Sequence, residues 1–119
     1  MSASRLHIKR VYDPPSAGDG LRVLVDRLWP RGLSKEKAHI DLWLRDISPT
    51  DPLRKEFHAQ PEKWEHFVAA YRAELKKEPA KSAAAELLAQ AAKRKVTLLF
   101  AAHDEEHNNA VALRDLLNA

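Results

Sequence analysis

Two arginines flank a tryptophan–proline pair directly after an apolar run of the chain. Arg27, Trp29 and Arg31 belong to the string DRLWPRG at positions 26–32. Arginine presents a planar fork of N–H donors that suits phosphate or carboxylate, and tryptophan offers a flat face to a base or another ring. These residue types predict a preorganised anion site. The alternative is architectural, with Arg27 paired to a nearby carboxylate and Trp29 filling the core.

A second polar segment, AHDEEHNN at positions 102–109, follows another apolar run. His103 is the candidate for proton transfer, because imidazole titrates near neutral pH. Asn108 and Asn109 offer amide donors to a ligand. The alternative is that the segment only begins a helix, with Asp104 as its N-cap and two glutamates near its positive end.

Metal and cofactor chemistry finds little support in these residues. His103 and His107 have metal-ligand spacing, but His103 is predicted at a strand end, so the two would not share a helix face. We predict no metal site. The chain has no cysteine, which excludes disulfides, thiolate zinc sites and cysteine nucleophiles. No phosphate loop, nucleophile elbow or dinucleotide fingerprint is present, and the sequence leaves the cofactor unknown.

The basic residues outside the DRLWPRG segment support two different hypotheses. Lys9 and Arg10 are adjacent on a predicted strand and therefore face opposite sides; of the two, Arg10 is included among the anion-binding candidates. The formal net charge is +3, and the basic run at 93–95 makes a nucleic-acid-associated or regulatory module the second hypothesis. A solvated helix end, where cations suit the dipole, is the simpler account of that run. Trp43 and His58 are weaker candidates for a pocket wall.

The elements that must position these residues alternate between strands and helices. Apolar, β-rich segments predict strands over 6–12, 21–26 and 96–101, and a strand is favoured over the ambiguous segment 40–47. In open α/β sheets, ligands collect beyond the carboxyl ends of the strands. The two polar segments follow two such ends, and a site shared between them requires those ends to lie within one ligand's length.

Capping residues and an apolar stripe predict the helices. Ser34 is expected to cap a single turn over 35–38, and Ser82 to cap a later helix. Asp51 is expected to be the N-cap of a short helix that ends near His58, with Pro52 at its first position. Pro61 is expected to open a longer helix between these, and a last helix ends near 117. The pattern predicts a single α/β domain over residues 1–119, with a small, at least partly parallel sheet packed with helices and a right-handed crossover.

Targeting signals are not evident in the sequence. The first residues contain no apolar core of signal-peptide length, and no run approaches the roughly 18 apolar residues of a membrane span. We therefore expect a cytoplasmic protein of 119 residues that does not enter a membrane. A homo-oligomer that uses an exposed apolar face is a third hypothesis, in which the protein serves in interaction and not in catalysis.

Several segments together resemble a known family. They are IKRVYD at 8–13, RVLVDRLWPRG at 22–32, LRKEFH at 53–58, YRAEL at 71–75, TLLFAA at 97–102 and HNNA at 107–110. From about Leu6 to Leu117 the chain resembles the bacterial YeaO-like family, domain of unknown function 488. The resemblance implies a small bacterial cytoplasmic α/β protein and assigns no activity. Longer relatives carry a cysteine-histidine-arginine cluster after the last strand, which this chain lacks.

The hypothesis preferred from the sequence is a protein that binds, and acts on if it is an enzyme, a small anionic metabolite such as a nucleotide or phosphate ester. In it Arg27 and Arg31 neutralise the anion, Trp29 walls the pocket and His103 transfers a proton. The sequence leaves open whether these side chains share one cavity.

Overall fold

Four parallel strands form one sheet at the centre of the fold. The computed structural model describes residues 6–118. The strand order is β1 (Leu6–Arg10), β4 (Val96–Phe100), β2 (Leu21–Leu24) and β3 (Leu42–Trp43). All three neighbouring pairs are parallel. The predicted α/β class with an at least partly parallel sheet is therefore confirmed, and the described sheet is parallel throughout.

The order of the strands explains their composition. β4 pairs with β1 on one side and β2 on the other, and every one of its residues is buried. A strand covered on both faces does not alternate apolar with polar residues, which is why β4 is apolar apart from Thr97, whose hydroxyl donates to the carbonyl of Asp19. Because β2 and β4 are adjacent and parallel, their carboxyl ends meet at the same edge of the sheet.

The predicted strand over 40–47 is largely wrong. Only Leu42–Trp43 pairs with β2, and residues Arg45–Ile47 form a 3-10 turn. The carbonyl of Ile47 accepts a hydrogen bond of 2.6 Å from the hydroxyl of Tyr71, and both residues are fully buried. This contact with a distant helix draws the backbone out of the sheet, against the local alternation.

Five helices surround the sheet. They are α1 (Lys35–Ala38), α2 (Asp51–Ala59), α3 (Trp64–Glu74), α4 (Ala80–Lys93) and α5 (Asn109–Asn118). None of the helices within residues 6–118 has the length and apolar composition needed to span a bilayer. The single turn over 35–38 is confirmed, with the Ser34 hydroxyl accepting from the amide of Lys37 at 3.2 Å.

Two predicted caps are wrong for a shared reason. Ser82 lies inside the first turn of α4, where its amide and hydroxyl donate to the carboxylate of Glu78. Asp51 is the first residue of α2 and follows the N-cap Thr50, and α3 begins at Trp64, three residues beyond the predicted Pro61. The N-caps are Thr50 and Pro79, so in both helices the first turn begins before the residue that was predicted to cap it.

The two faces of the sheet are covered differently. Alternate strand residues such as Val23, Leu98 and Phe100 pack under the helices in the larger core. Leu24 and Leu99 face the opposite side, where the segment from Trp29 to Trp43 covers them. That segment therefore contributes to the core as well as to the edge where the site residues lie.

A buried ion network completes the second face. The Asp19 carboxylate accepts from Lys9 at 3.1 Å and from Arg22 of β2, as well as from the amide and hydroxyl of Ser16. Burial alone would raise the pKa of Asp19, but these hydrogen bonds outweigh it and hold the pKa well below its ordinary value. Asp19 is therefore a charged anchor between the loop before β2 and the sheet.

Candidate functional site

A cavity of about 780 Å³ opens at the edge of the sheet where β2 and β4 end. This volume is in the range of sites that hold small molecules. Six of the seven residues predicted for the site line this one cavity: Arg27, Trp29, Arg31, His103, Asn108 and Asn109. The two polar segments that sequence analysis picked out separately therefore face the same space.

Aromatic and aliphatic side chains form much of the cavity wall. Phe57 of α2 and Phe67 of α3 stack with ring centroids 4.4 Å apart, and both line the cavity. Tyr12 and Leu28, also on the lining, are 40% and 56% exposed and are the exposed large hydrophobic residues of the described chain. Apolar surface at a cavity mouth is typical of a ligand-binding cleft.

Arg27 holds a loop in addition to lining the cavity. Its Nε donates to the carbonyl of Pro49 at 3.1 Å, and its Nη2 donates to that of Ser48 at 3.3 Å. Two of its three guanidinium nitrogens are thus bound to the backbone just before α2. The alternative of a structural Arg27 is partly realised, although the recorded partners are carbonyl oxygens and not a carboxylate.

Trp29 is tied into the second core. Its Nε1 donates to the carbonyl of Leu33 at 2.6 Å, and its ring meets that of Trp43 edge-on at 5.5 Å. The Nε1 of Trp43 donates in turn to the carbonyl of Asp26 at 2.8 Å. Trp29 therefore rigidifies the loop after β2 while one part of it lines the cavity.

Arg31 presents its charge differently. The residue is exposed, and its backbone carbonyl accepts a hydrogen bond of 2.9 Å from the hydroxyl of Tyr12. This bond fixes the backbone of the loop without using the guanidinium. Among the described residues, no hydrogen bond or ion pair to the Arg31 side chain is recorded, so this arginine is the better placed of the two to meet an anion.

Asp26 is the less exposed of the two aspartates on the lining, and the sequence analysis did not select it. Its Oδ1 accepts from Nδ2 of Asn109 at 3.0 Å, and its Oδ2 accepts from the amide of Ala101 at 2.9 Å. Burial raises the pKa of this carboxyl, and the hydrogen bonds oppose that effect. A carboxylate directly after a buried apolar strand was the signal that would have identified it.

Helix α2 contributes two basic groups near Asp26. Arg54 and His58 line the cavity, and their charges favour the ionised form of the Asp26 carboxyl. Arg54 also pairs with Asp51 at 3.2 Å, one helical turn earlier. Arg54 lay in a predicted helix with no special spacing, so nothing in the sequence marked it as a site residue.

The loop before α5 is organised by Asp104 and Asn108. The backbone amide of Glu106, and then that of His107, donate to Asp104 and lower its pKa. Asn108 is buried, and its side chain accepts from the amide of Val111 at 2.9 Å. The helix cap is therefore Asn108, and the predicted cap Asp104 is wrong, because Asp104 belongs to the preceding turn.

The amide donors of both asparagines are already bound within the protein. Nδ2 of Asn108 donates to the carbonyl of Asp104 at 2.8 Å, and Nδ2 of Asn109 donates to Val25 and Asp26. His103 is exposed on the lining, whereas His107 packs edge-on against Trp64 at 5.2 Å. The asparagines thus shape the cavity, and His103 is exposed to solvent there, as are His58 and His107.

Arg10 lies outside the cavity lining. Its guanidinium donates to the carbonyls of Ala102 at 2.9 Å and Ala101 at 3.2 Å, and lies 5.2 Å from the centre of the Tyr12 ring. Arg10 therefore stabilises the backbone just after β4 and does not line the cavity. The basic run at 93–95 precedes β4 and so lies at the opposite edge of the sheet from the cavity.

The chemical groups on the lining limit what the cavity can do. Within residues 6–118 the lining includes no serine, threonine, cysteine or lysine, but it does include Tyr12, two aspartates and three histidines. No group of three or more histidine, aspartate or glutamate residues is placed to hold a metal in that part of the chain. The arrangement offers basic side chains, a partly buried carboxyl at Asp26 and an apolar wall.

Comparison with known proteins gives a family and no activity. The model of a family described as "Inactive DUF488-N3 subclade" matches residues 5–119. The chain is 40% identical to "Uncharacterized protein YeaO" of Escherichia coli (strain K12), covering 96% of this chain and 97% of that protein. It is 36% identical to "Uncharacterized protein Mb3100c" of Mycobacterium bovis, covering 97% and 95%. No solved structure matches.

Proposed function

Since the chain belongs to the DUF488 family, in the subclade described as inactive, we propose that it binds a small anionic metabolite without converting it. The proposed ligand is a nucleotide or another phosphate ester, held in the cavity at the carboxyl edge of β2 and β4. The observation that carries the proposal is the convergence of basic side chains from two loops and one helix on a single, largely apolar cavity.

The cationic groups support an anionic ligand. Arg31 offers a guanidinium at the mouth of the cavity, and His103 and Arg54 stand on other parts of the lining. Guanidinium groups bind phosphate through two parallel hydrogen bonds, which give orientation as well as affinity. Arg27 already donates two hydrogen bonds to the carbonyls of Ser48 and Pro49. We therefore assign Arg27 to shaping the site and Arg31 to binding the anion.

Binding is favoured over turnover by the lining itself. Covalent catalysis needs a nucleophile next to a base. The described lining has no serine, threonine, cysteine or lysine, and the hydroxyl of Tyr12 donates to the carbonyl of Arg31. His103 is one of three exposed histidines of the lining, and among the described residues no hydrogen bond orients its ring. The description of the matching subclade as inactive agrees with binding without turnover.

Nucleic-acid binding gains no support from the arrangement of the basic residues. The run at 93–95 lies at the opposite edge of the sheet from Arg31, so the two do not form one continuous basic surface. A small metabolite remains the better match for a cavity of this volume.

The direct test is thermal stabilisation by candidate ligands. The protein would be screened with inorganic phosphate, nucleotides, sugar phosphates and carboxylates, because a ligand at 100 times its dissociation constant stabilises by about 2.7 kcal/mol. This corresponds to a shift of several degrees in the midpoint of unfolding for a domain of this size. We expect Arg31→Ala to abolish the shift.

The matched control is Arg94→Ala, which removes the same charge at the opposite edge of the sheet and should leave the shift intact. Equal loss in both variants would indicate non-specific attraction to net charge. The absence of any shift in the unmodified protein would overturn the proposal.

A further inference from the structure

We infer that the ligand of this cavity carries two kinds of group: vicinal hydroxyls of a sugar that bind Asp26, and an anion that binds Arg31. This inference rests on the proposed function, since it assigns the ligand chemistry of the same cavity. It makes Asp26 the residue that decides between ligands of similar charge.

The carboxylate of Asp26 can accept more hydrogen bonds than the protein donates to it. Each of its oxygens takes one hydrogen bond, Oδ1 from Asn109 and Oδ2 from the amide of Ala101. A carboxylate oxygen accepts about two hydrogen bonds, so one acceptor position remains on each oxygen. Two hydroxyls on neighbouring carbon atoms match this arrangement, with one donor for each oxygen.

A simple anion does not satisfy this cavity. Phosphate or carboxylate placed against Asp26 would meet a group of like charge in a poorly solvated position. The anionic part of the ligand must therefore lie at the arginine side of the lining, and a neutral, donor-bearing part must lie at Asp26. A cavity of about 780 Å³ is large enough for a ligand that reaches both.

A cationic donor is also disfavoured at Asp26. The Arg54 guanidinium lies on the same lining and its charge already acts on this carboxyl, so an ammonium group placed there would be repelled by it. Hydroxyl groups carry no such penalty. The apolar faces of Phe57 and Leu28 complete the match, because they can cover the non-polar side of a sugar or a base.

The experiment compares ligands that differ by a single hydroxyl. Isothermal titration calorimetry would measure AMP against 2'-deoxy-AMP and ribose 5-phosphate against its 2-deoxy form, with pyrophosphate as a probe that has no hydroxyl. A hydrogen bond to a charged group contributes enough that we expect the hydroxyl-complete ligand of at least one pair to bind about tenfold more tightly.

Asp26→Asn should remove most of that difference, because its amide nitrogen donates where a carboxylate oxygen accepts. The matched control is Asp115→Asn, the same substitution at an exposed residue of α5 that lies outside the cavity lining. It should preserve the tenfold preference. Circular dichroism would establish that both variants fold, and if Asp26→Asn does not, the comparison of ligands on the unmodified protein decides by itself.

Each outcome separates the two proposals. Equal affinity for the hydroxyl-complete and deoxy ligands would overturn this inference while leaving the anion-binding function in place. Binding of pyrophosphate without any sugar phosphate would do the same. If none of the probes binds, this inference is overturned together with the assignment of a phosphate ester as the ligand.

Discussion

The amide of Asn109 joins the first residue of α5 to the end of β2. Its Nδ2 donates to the carbonyl of Val25 at 2.9 Å and to Oδ1 of Asp26 at 3.0 Å. These residues are more than 80 positions apart in the chain, so the contact closes the cavity between two distant segments. It orients the Asp26 carboxylate and holds the helix against the sheet with one side chain.

Replacing Asn109 should weaken this junction. Asn109→Ala leaves the carbonyl of Val25 without its side-chain donor and Asp26 with one hydrogen bond fewer, and we expect a loss of roughly 1–3 kcal/mol in the free energy of unfolding. Urea denaturation measures the effect. Asn118→Ala, at the exposed end of the same helix, should change stability by less than about 0.5 kcal/mol; similar losses in both variants would contradict the proposed role of Asn109.

Substitutions of the two arginines of the DRLWPRG segment should affect different properties. Arg27 should matter for the stability of the fold, and Arg31 for ligand binding. Arg27→Lys cannot donate to the carbonyls of Ser48 and Pro49 through a planar fork, so it should destabilise the fold by about 1–2 kcal/mol. Arg31→Ala should leave stability nearly unchanged, because its recorded contact is through the backbone. Chemical denaturation of both variants tests this, and a larger loss for Arg31→Ala would reverse the assignment.

The Asp19 network should make stability depend on acid pH. Its pKa is lowered in the folded protein relative to the unfolded chain, so its ionised form stabilises the fold above the unfolded value of about 3.9. That contribution is lost as the pH falls below this value towards the folded pKa. Denaturation curves collected between neutral and acid pH should therefore show stability decreasing over this window.

Asp19→Asn should be less stable at neutral pH, and its stability should change less with pH over the same acid window. Asp115→Asn is the control, because Asp115 is exposed near the end of α5 and should keep the pH dependence of the unmodified protein. An unchanged pH profile in Asp19→Asn would show that other groups cause the acid sensitivity.

Local patterns predicted the strands and most helices well. Continuous apolar runs indicated β2 and β4 because both are covered on two faces, and the single turn after Ser34 followed from its cap. Those features depend on residues that are neighbours in sequence. The edge strand β3 was overpredicted, since the hydrogen bond from Tyr71 to Ile47 spans 24 positions and leaves no periodic signal.

The sequence by itself determined which residue types stand at the two strand ends, because each apolar run and the polar residues that follow it are neighbours in the chain. The tertiary structure alone decided what each of them does. Arg27 reaches a loop 22 positions away, Arg10 turns to carbonyls 91 and 92 positions away, and Asp26 becomes part of the cavity because β4 lies beside β2. Hydrogen-bond partners depend on which distant segments the sheet brings together, and no spacing along the chain encodes that choice.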